Sequence, residues 1–377
     1  MKIHPGTNKI DGFTLTGLLI LLLATTTLLF IARVVDIVGH DGWMPVALVT
    51  LSAAGLIYIM YYLGQLFPGQ SLIEYLPLLL GKAAGKLVGL GYVLFLVYLT
   101  ASVISESIAL FLGTGIFTFT PIIVIILLLV MASSYGVASG IVVIGRTLNI
   151  YWLGIMAVLI IYFILAISAM ELEALLPVGE AGFKTILKGS MISHSYRGEL
   201  FLLAMLLPYC RSYREGFIAA NIANIIVGLL VIGTVVISVT ILGVETSSRT
   251  LYTPFFLADF IKPVGIKIAL TAIWIIAFWA KISLLQFCLT AGTSQLLELK
   301  QSEVIIVPIA IILVVFSLSF YDNATDLFQS IAQTFPGTAL VFEWLIPGLL
   351  FVIAIIKYKL MGQDQSHGEL DEDNYRG

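Results

Sequence analysis

Ser193-His194-Ser195-Tyr196-Arg197-Gly198-Glu199 sits inside a predominantly apolar run, Ile186 to Pro208, that is long enough to cross a bilayer. Each charge at bilayer depth is costly unless it is paired or wet. A glycine reaches backbone angles closed to other residues, so the chain can unwind beside those charges. The stretch therefore predicts an interrupted membrane helix. Two readings of its polar groups stand open: a ligand or coupling site in a wet cavity, and a structural Arg197–Glu199 ion pair with His194 at the outer interface.

The rest of the chain supplies the membrane. Of 377 residues, 60% are hydrophobic and 11% charged, against about 25% charged in soluble domains. Folded surfaces in water must carry charge, so the apolar excess faces lipid and a soluble enzyme is excluded. A net charge of −3 offers no basic field for nucleic acid. Cys210 and Cys288 lie in or beside apolar runs and read as small buried hydrophobes. The first apolar run begins near Phe13, lacks a small-residue cleavage site and continues past Phe30, so it reads as a retained helix.

Ten runs approach the roughly 20 residues that a spanning helix needs. They are Phe13–Val38, Trp43–Leu66, Leu87–Leu112, the short Pro121–Ser134, Ile141–Met170, Ile186–Pro208, Phe217–Leu242, Ile266–Leu297, Val304–Phe320 and Thr338–Ile356. With the N-terminus inside, eleven Lys and Arg fall on the inner side, while Lys184, Lys188, Arg249, Lys262 and Lys267 make five outside. Arg33, Arg197 and Lys281 fall within the predicted spans. This asymmetry puts both termini in the cytoplasm and requires an even helix number. The expected layout is a cytoplasmic segment 1–12, a first repeat 13–170, an outer loop 171–185, a second repeat 186–356 and a polar, acidic tail 357–377. A second outer stretch, 245–262, reads as a short amphipathic helix along the membrane surface.

Five plus five, with an odd number in each half, means inverted topology. In transporters built that way the first helix of each half breaks near the midplane, and its freed backbone groups bind substrate. Breaks are therefore expected in helices one and six. The middle of helix one is Leu23-Ala24-Thr25-Thr26-Thr27-Leu28, where hydroxyl side chains either face a ligand or pack between helices. On helix three, Phe95, Leu99, Ser102 and Glu106 share a face. On helix eight, Phe278, Lys281 and Leu285 do so. Lys281 lies mid-span. It could neutralise Glu106 or Glu199, take the place of a coupling cation, or read a ligand carboxylate; snorkelling is the alternative.

Ordered along the chain are Gly39-His40-Asp41-Gly42-Trp43, Pro68-Gly69-Gln70-Ser71-Leu72-Ile73-Glu74-Tyr75-Leu76, Leu80-Gly81-Lys82, Thr120-Pro121-Ile122, Gly140 to Arg146, Leu175-Leu176-Pro177-Val178-Gly179-Glu180, Gly198-Glu199 and Pro208-Tyr209. In these the chain, from about Asp11 to Lys359, resembles the B subunits of the spore-germination nutrient receptors. That family is similar to the amino acid–polyamine–organocation transporters. The resemblance implies an all-α integral membrane protein with ten transmembrane helices as an inverted five-plus-five, LeuT-like repeat. It implies a small nutrient such as an amino acid in a central pocket, signalling to A-type and C-type partner subunits, and residence in the endospore inner membrane. Carried over by position, the pocket is lined by Thr25, Thr26, Phe95, Leu99, Tyr196, Gly198, Lys281 and Leu285; the residues' own pattern adds Ser102 to the lining and Glu106, Arg197 and Glu199 as coupling or ion-pair groups. Where the family has Gly-x-Gly in helix one, this chain has Ala24-Thr25-Thr26, so its helix one is expected to be less unwound.

No nucleophile–base pair, HExxH run or metal cluster stands out, so no cofactor or metal is expected and an enzyme is the class least supported. A receptor subunit predicts binding that shifts a two-state bundle. The alternative, an amino acid or small-solute transporter, predicts flux by alternating access.

Overall fold

The computed structural model describes residues 9–358 except 26, 114, 116–118, 262–264 and 322–323; the tail from 359 on lies outside them. Eight helices within that range are long and apolar enough to cross a membrane. The first of those stretches, 30–66, runs through a tight 3-10 turn at Gly39–Gly42. It joins the second half of helix one to helix two, Trp43–Leu66. Helices three, four and five are Lys82–Gly113, Ile122–Ser139 and Ile141–Ile167. Gly140 alone separates the last two, at φ 90°, a backbone conformation that a side chain would strain. Helix seven is Tyr213–Arg249 and bends at Gly243, φ 74°. Helix eight is Ile266–Leu296, and helix nine is Ile306–Ser319 behind a 3-10 turn. Helix ten starts at Ala324–Gln329 and reaches Tyr358 through two π-helical stretches, Ser330–Thr334 and Leu340–Leu345.

The two remaining rods are the ones expected to break. Helix one is Gly12–Ala24 followed by Thr27–Val38. Thr25 keeps right-handed helical angles, φ −60°, ψ −30°, and residue 26 lies outside the described residues. Helix six runs as Gly182–Arg197, then tightens to 3-10 at Gly198–Leu202, returns to α at Leu203–Leu206 and ends in a turn, Leu207–Tyr209.

Contacts sort the connections into two ends. At one end the Ile10 N–H donates to the Tyr209 carbonyl at 2.9 Å and the Arg211 N–H to Ile10 at 3.0 Å. There Ser71 Oγ reaches Gln295 at 2.6 Å, Lys86 Nζ reaches Glu298 at 2.6 Å and Lys357 Nζ reaches the Leu78 carbonyl at 2.9 Å. At the other end the Asp41 carboxylate, wholly buried, accepts from the N–H groups of Gly179 at 2.9 Å and Ala181 at 3.0 Å. The Glu171 N–H bonds the Thr240 carbonyl, and Tyr162 Oη donates to that of Pro254. The chain alternates between the ends, and the described rods cross ten times.

The first half of helix one is apolar all round, and Leu18 to Leu23 are each no more than 1% exposed. Such a helix belongs at the centre of a bundle. It packs on helices five, seven and eight, while its second half packs on helices six and seven. Helix six packs on helices two and ten.

Three expectations are corrected. Helices three, four and seven run longer than the apolar windows, because their polar ends (Lys82, Ser139, Arg249) continue the helix into the interface. Within 245–262, helix seven continues to Arg249, and the short helix Thr253–Leu257 is packed inward with Thr253, Phe255 and Leu257 buried. Phe255 and Leu257 therefore close the end of the bundle, while Phe256 stays exposed. Gly198 has φ −63° and ψ −20°, so no unwinding is made there.

Asp41→Ala orphans two buried N–H groups; hydrogen bonds to a charged group are worth about 1.5–3 kcal/mol each. Thermal unfolding in detergent should fall clearly below the wild-type midpoint. An unchanged midpoint would show that the clamp carries nothing.

Candidate functional site

Helix six presents different chemistry to its two sides. Toward helix eight, Glu199 accepts a hydrogen bond from Lys281 Nζ at 2.7 Å, and both side chains are 1% exposed. Lys281 is thus an ion-pair partner and does not snorkel. The Arg197–Glu199 pair left open by the sequence is absent from the ion pairs among described residues. Arg197 Nη1 has no hydrogen-bond partner, and Glu199 keeps one oxygen, Oε2, unpartnered. Glu106 is buried on helix three, close enough to interact through space with both Lys281 and Glu199.

The glycine beside this pair serves close approach. A Cβ on Gly198 would collide with the Glu343 carboxylate and come within 2.5 Å of Trp344 Nε1. Trp344 Nε1 donates to the His194 carbonyl at 3.0 Å, so helix ten lies directly on helix six. Glu343 is wholly buried, and neither of its oxygens has a partner. The sequence reading missed it. It was detectable as an acid between Phe342 and Trp344 in an apolar run, by the same rule that singled out Glu106 and Lys281. It sits in a π-helical turn, a geometry frequent at functional sites.

Other expected residues fill this side. Phe95 stacks on Phe342 with centroids 4.8 Å apart, and Leu99 and Leu285 are buried. Ser102 Oγ lies 3.0 Å from Tyr321 Oη. Thr25 is buried, its hydroxyl donating to the Leu22 carbonyl at 3.1 Å. Thr26 lies outside the described residues.

On its other side helix six lines a cavity of about 10 Å³ with Ser193, Tyr196 and Arg197. The walls are Phe30 of helix one, Val46 and Val49 of helix two, and Val227 and Val231 of helix seven. This is room for about one water. Ser193 Oγ, Tyr196 Oη and Arg197 Nη1 are all buried without a partner. Their i, i+3, i+4 spacing puts them on one helix face, and the Phe30 ring stacks on Tyr196 at 5.2 Å. Buried polar groups are ordinarily satisfied, so three unsatisfied together mark a place where a partner is to be supplied. Phe95, Leu99, Lys281 and Leu285 do not line this cavity. Tyr196 also packs on Phe335 of helix ten, with centroids 5.6 Å apart, so it touches both sides of helix six.

Comparison with known proteins follows from this geometry. Residues 9–325 match the family model described as spore germination protein. The chain belongs to the spore germination protein family. It is 26% identical over 347 residues to spore germination protein KB of Bacillus subtilis, covering 88% of this chain and 90% of that protein. It is also 26% identical over 334 residues to spore germination protein A2 of Bacillus subtilis, covering 85% and 88%. Among solved structures it resembles a Na⁺-coupled sialic acid symporter in a substrate-bound outward-open state. There the TM-score is 0.63 at 14% identity, over 89% of this chain and 79% of that one. At that identity the likeness concerns the fold, an all-helical membrane architecture of the LeuT-like transporters.

Within this germination-family chain, stretches far apart in sequence meet: Asp41 of Gly39-His40-Asp41-Gly42 holds the backbone after Pro177, and Gly198-Glu199 meets helices eight and ten. Gly198→Ala should lower the thermal midpoint in detergent, because overpacking a tight contact costs about 1–3 kcal/mol. Adding Glu343→Ala should recover only part of that loss, because Trp344 Nε1 and the Cβ at position 343 still stand within 2.7 Å of the added methyl. A Gly198→Ala protein as stable as wild type would contradict the close-approach role.

Proposed function

We propose that this chain is the membrane-embedded, ligand-binding subunit of a spore germinant receptor. In this reading it binds a small nutrient, such as an amino acid, and passes the change to A-type and C-type partner subunits in the endospore inner membrane. The observation that carries the reading is the unsatisfied trio Ser193, Tyr196 and Arg197 around a cavity with apolar walls. A guanidinium with a free Nη1 is suited to a carboxylate, and Phe30 and the valines suit a small apolar body. The cavity as it stands holds about one water, so a ligand enters by parting helices one and six. That movement is the signal: a ligand shifts a two-state equilibrium by as much as its affinity for the two states differs. The excess of Lys and Arg at the end that holds Arg211, Lys86 and Lys357 supports a cytoplasmic location of that end and of both termini.

The test is a thermal-shift screen of amino acids and other small nutrients on the purified protein in nanodiscs, since a ligand bound only by the folded state stabilises it. At least one carboxylate-bearing nutrient should raise the midpoint. Arg197→Gln should not lower the ligand-free midpoint, because it removes a buried charge whose Nη1 has no hydrogen-bond partner, and should weaken that ligand by roughly 10- to 100-fold. Proteoliposomes should bind the nutrient without accumulating it. No shift with any nutrient, or one that Arg197→Gln leaves intact, contradicts the reading. Robust counterflow would replace it with a transporter.

A further inference from the structure

A second cavity, of about 400 Å³, opens at the end of the bundle that holds Arg211 and Lys357. It lies between the helix four–helix five turn, the last turns of helix eight and the segment leading into helix nine. Its volume falls within the range of small-ligand pockets. Four features of its lining converge on a negative charge.

The first is the start of helix five. Gly140 to Val143 line the cavity, and no side chain caps that helix. Val143 and Ile144 N–H bond the Gly140 carbonyl, which leaves the Ile141 and Val142 N–H groups without a backbone acceptor among the described residues at the positive end of a 27-residue helix. The second is Arg146, one turn into the same helix, which has no ion-pair partner among the described residues. The third is Lys300 across the opening, likewise without an ion pair there. The fourth is independent of charge. Thr290 of helix eight lines the cavity and is 3% exposed, and its hydroxyl has no hydrogen-bond partner. Glu303 is the carboxylate among the lining residues, and it is exposed.

The mouth is apolar where it meets lipid. Val143 and Leu299 line it and are 47% and 39% exposed. An occupant with an anionic head and an apolar body satisfies both parts. Basic pockets between transmembrane helices at the cytoplasmic side take lipid headgroups in this way. We propose that this cavity binds the glycerophosphate headgroup of an anionic phospholipid. The phosphate sits at the N-terminus of helix five between Arg146 and Lys300, a headgroup hydroxyl reaches Thr290, and the acyl chains lie on Val143 and Leu299. The site is separate from the cavity at Arg197, and its occupancy does not depend on a nutrient.

The test compares lipid binding to the purified full chain by native mass spectrometry and by thermal shift. Phosphatidylglycerol is set against phosphatidylcholine and soluble glycerol phosphate. Wild type should retain phosphatidylglycerol and gain stability from it, but not from phosphatidylcholine. Arg146→Gln with Lys300→Gln should weaken phosphatidylglycerol by about tenfold or more. Lys82→Gln with Arg214→Gln removes the same charge elsewhere at that end and should leave binding unchanged. Thr290→Val should weaken binding without changing net charge. Equal loss in both double variants would show diffuse attraction and overturn the proposal. So would no preference over phosphatidylcholine, or glycerol phosphate bound as tightly as the lipid.

Discussion

Lys281 and Glu199 meet at the centre of an apolar bundle, where Glu106, Arg197 and Glu343 are buried around them. Pairing at 2.7 Å with both groups 1% exposed turns two intolerable side chains into one tolerable contact, because attraction is strong where water is absent and an unpaired ion is costly. The pair ties helix six to helix eight at the point where helix six changes from α to 3-10. That change rotates successive side chains differently from an α-helix. Glu199 therefore faces helix eight, while Ser193 and Arg197 face helices one, two and seven and Tyr196 packs between Phe30 of helix one and Phe335 of helix ten.

The other half of the centre depends on what the pair leaves over. One ammonium serves Glu199, and among the described residues neither Glu343 oxygen nor Arg197 Nη1 has a partner. Glu343 is pressed on Gly198 from helix ten and Arg197 faces a cavity. A bundle that keeps such groups unsatisfied holds polar capacity in reserve. Reserve of that kind suits a protein whose centre rearranges when something binds, since native cores otherwise satisfy their buried polar atoms.

Much of the fold was legible in the sequence. Ten crossings followed from apolar runs and from the distribution of Lys and Arg, and the change of helix six from α to 3-10 falls among the charges around Gly198. Helix ends were less legible, because Lys82 and Arg249 are polar yet helical, and apolar windows stop at polar residues. The role of Gly198 was misread. A glycine signals either backbone freedom or close approach, and only the position of Glu343 and Trp344 decides between them. Which neighbours Arg197 and Glu199 face was not legible either, since that depends on how helix six changes from α to 3-10 between them. Glu343 was visible as a charge in an apolar run and was passed over.

The central claim is that Lys281 and Glu199 act as one unit. The direct measurement is a double-mutant cycle of thermal or denaturant stability in one detergent, using Lys281→Met, Glu199→Leu and both together. Each single variant leaves an uncompensated buried charge and should lose about 3–5 kcal/mol, while the double variant should lie near wild type. The coupling should then exceed about 2 kcal/mol. Single effects that add to within about 0.5 kcal/mol in the double variant would show two independent charges and would contradict the account.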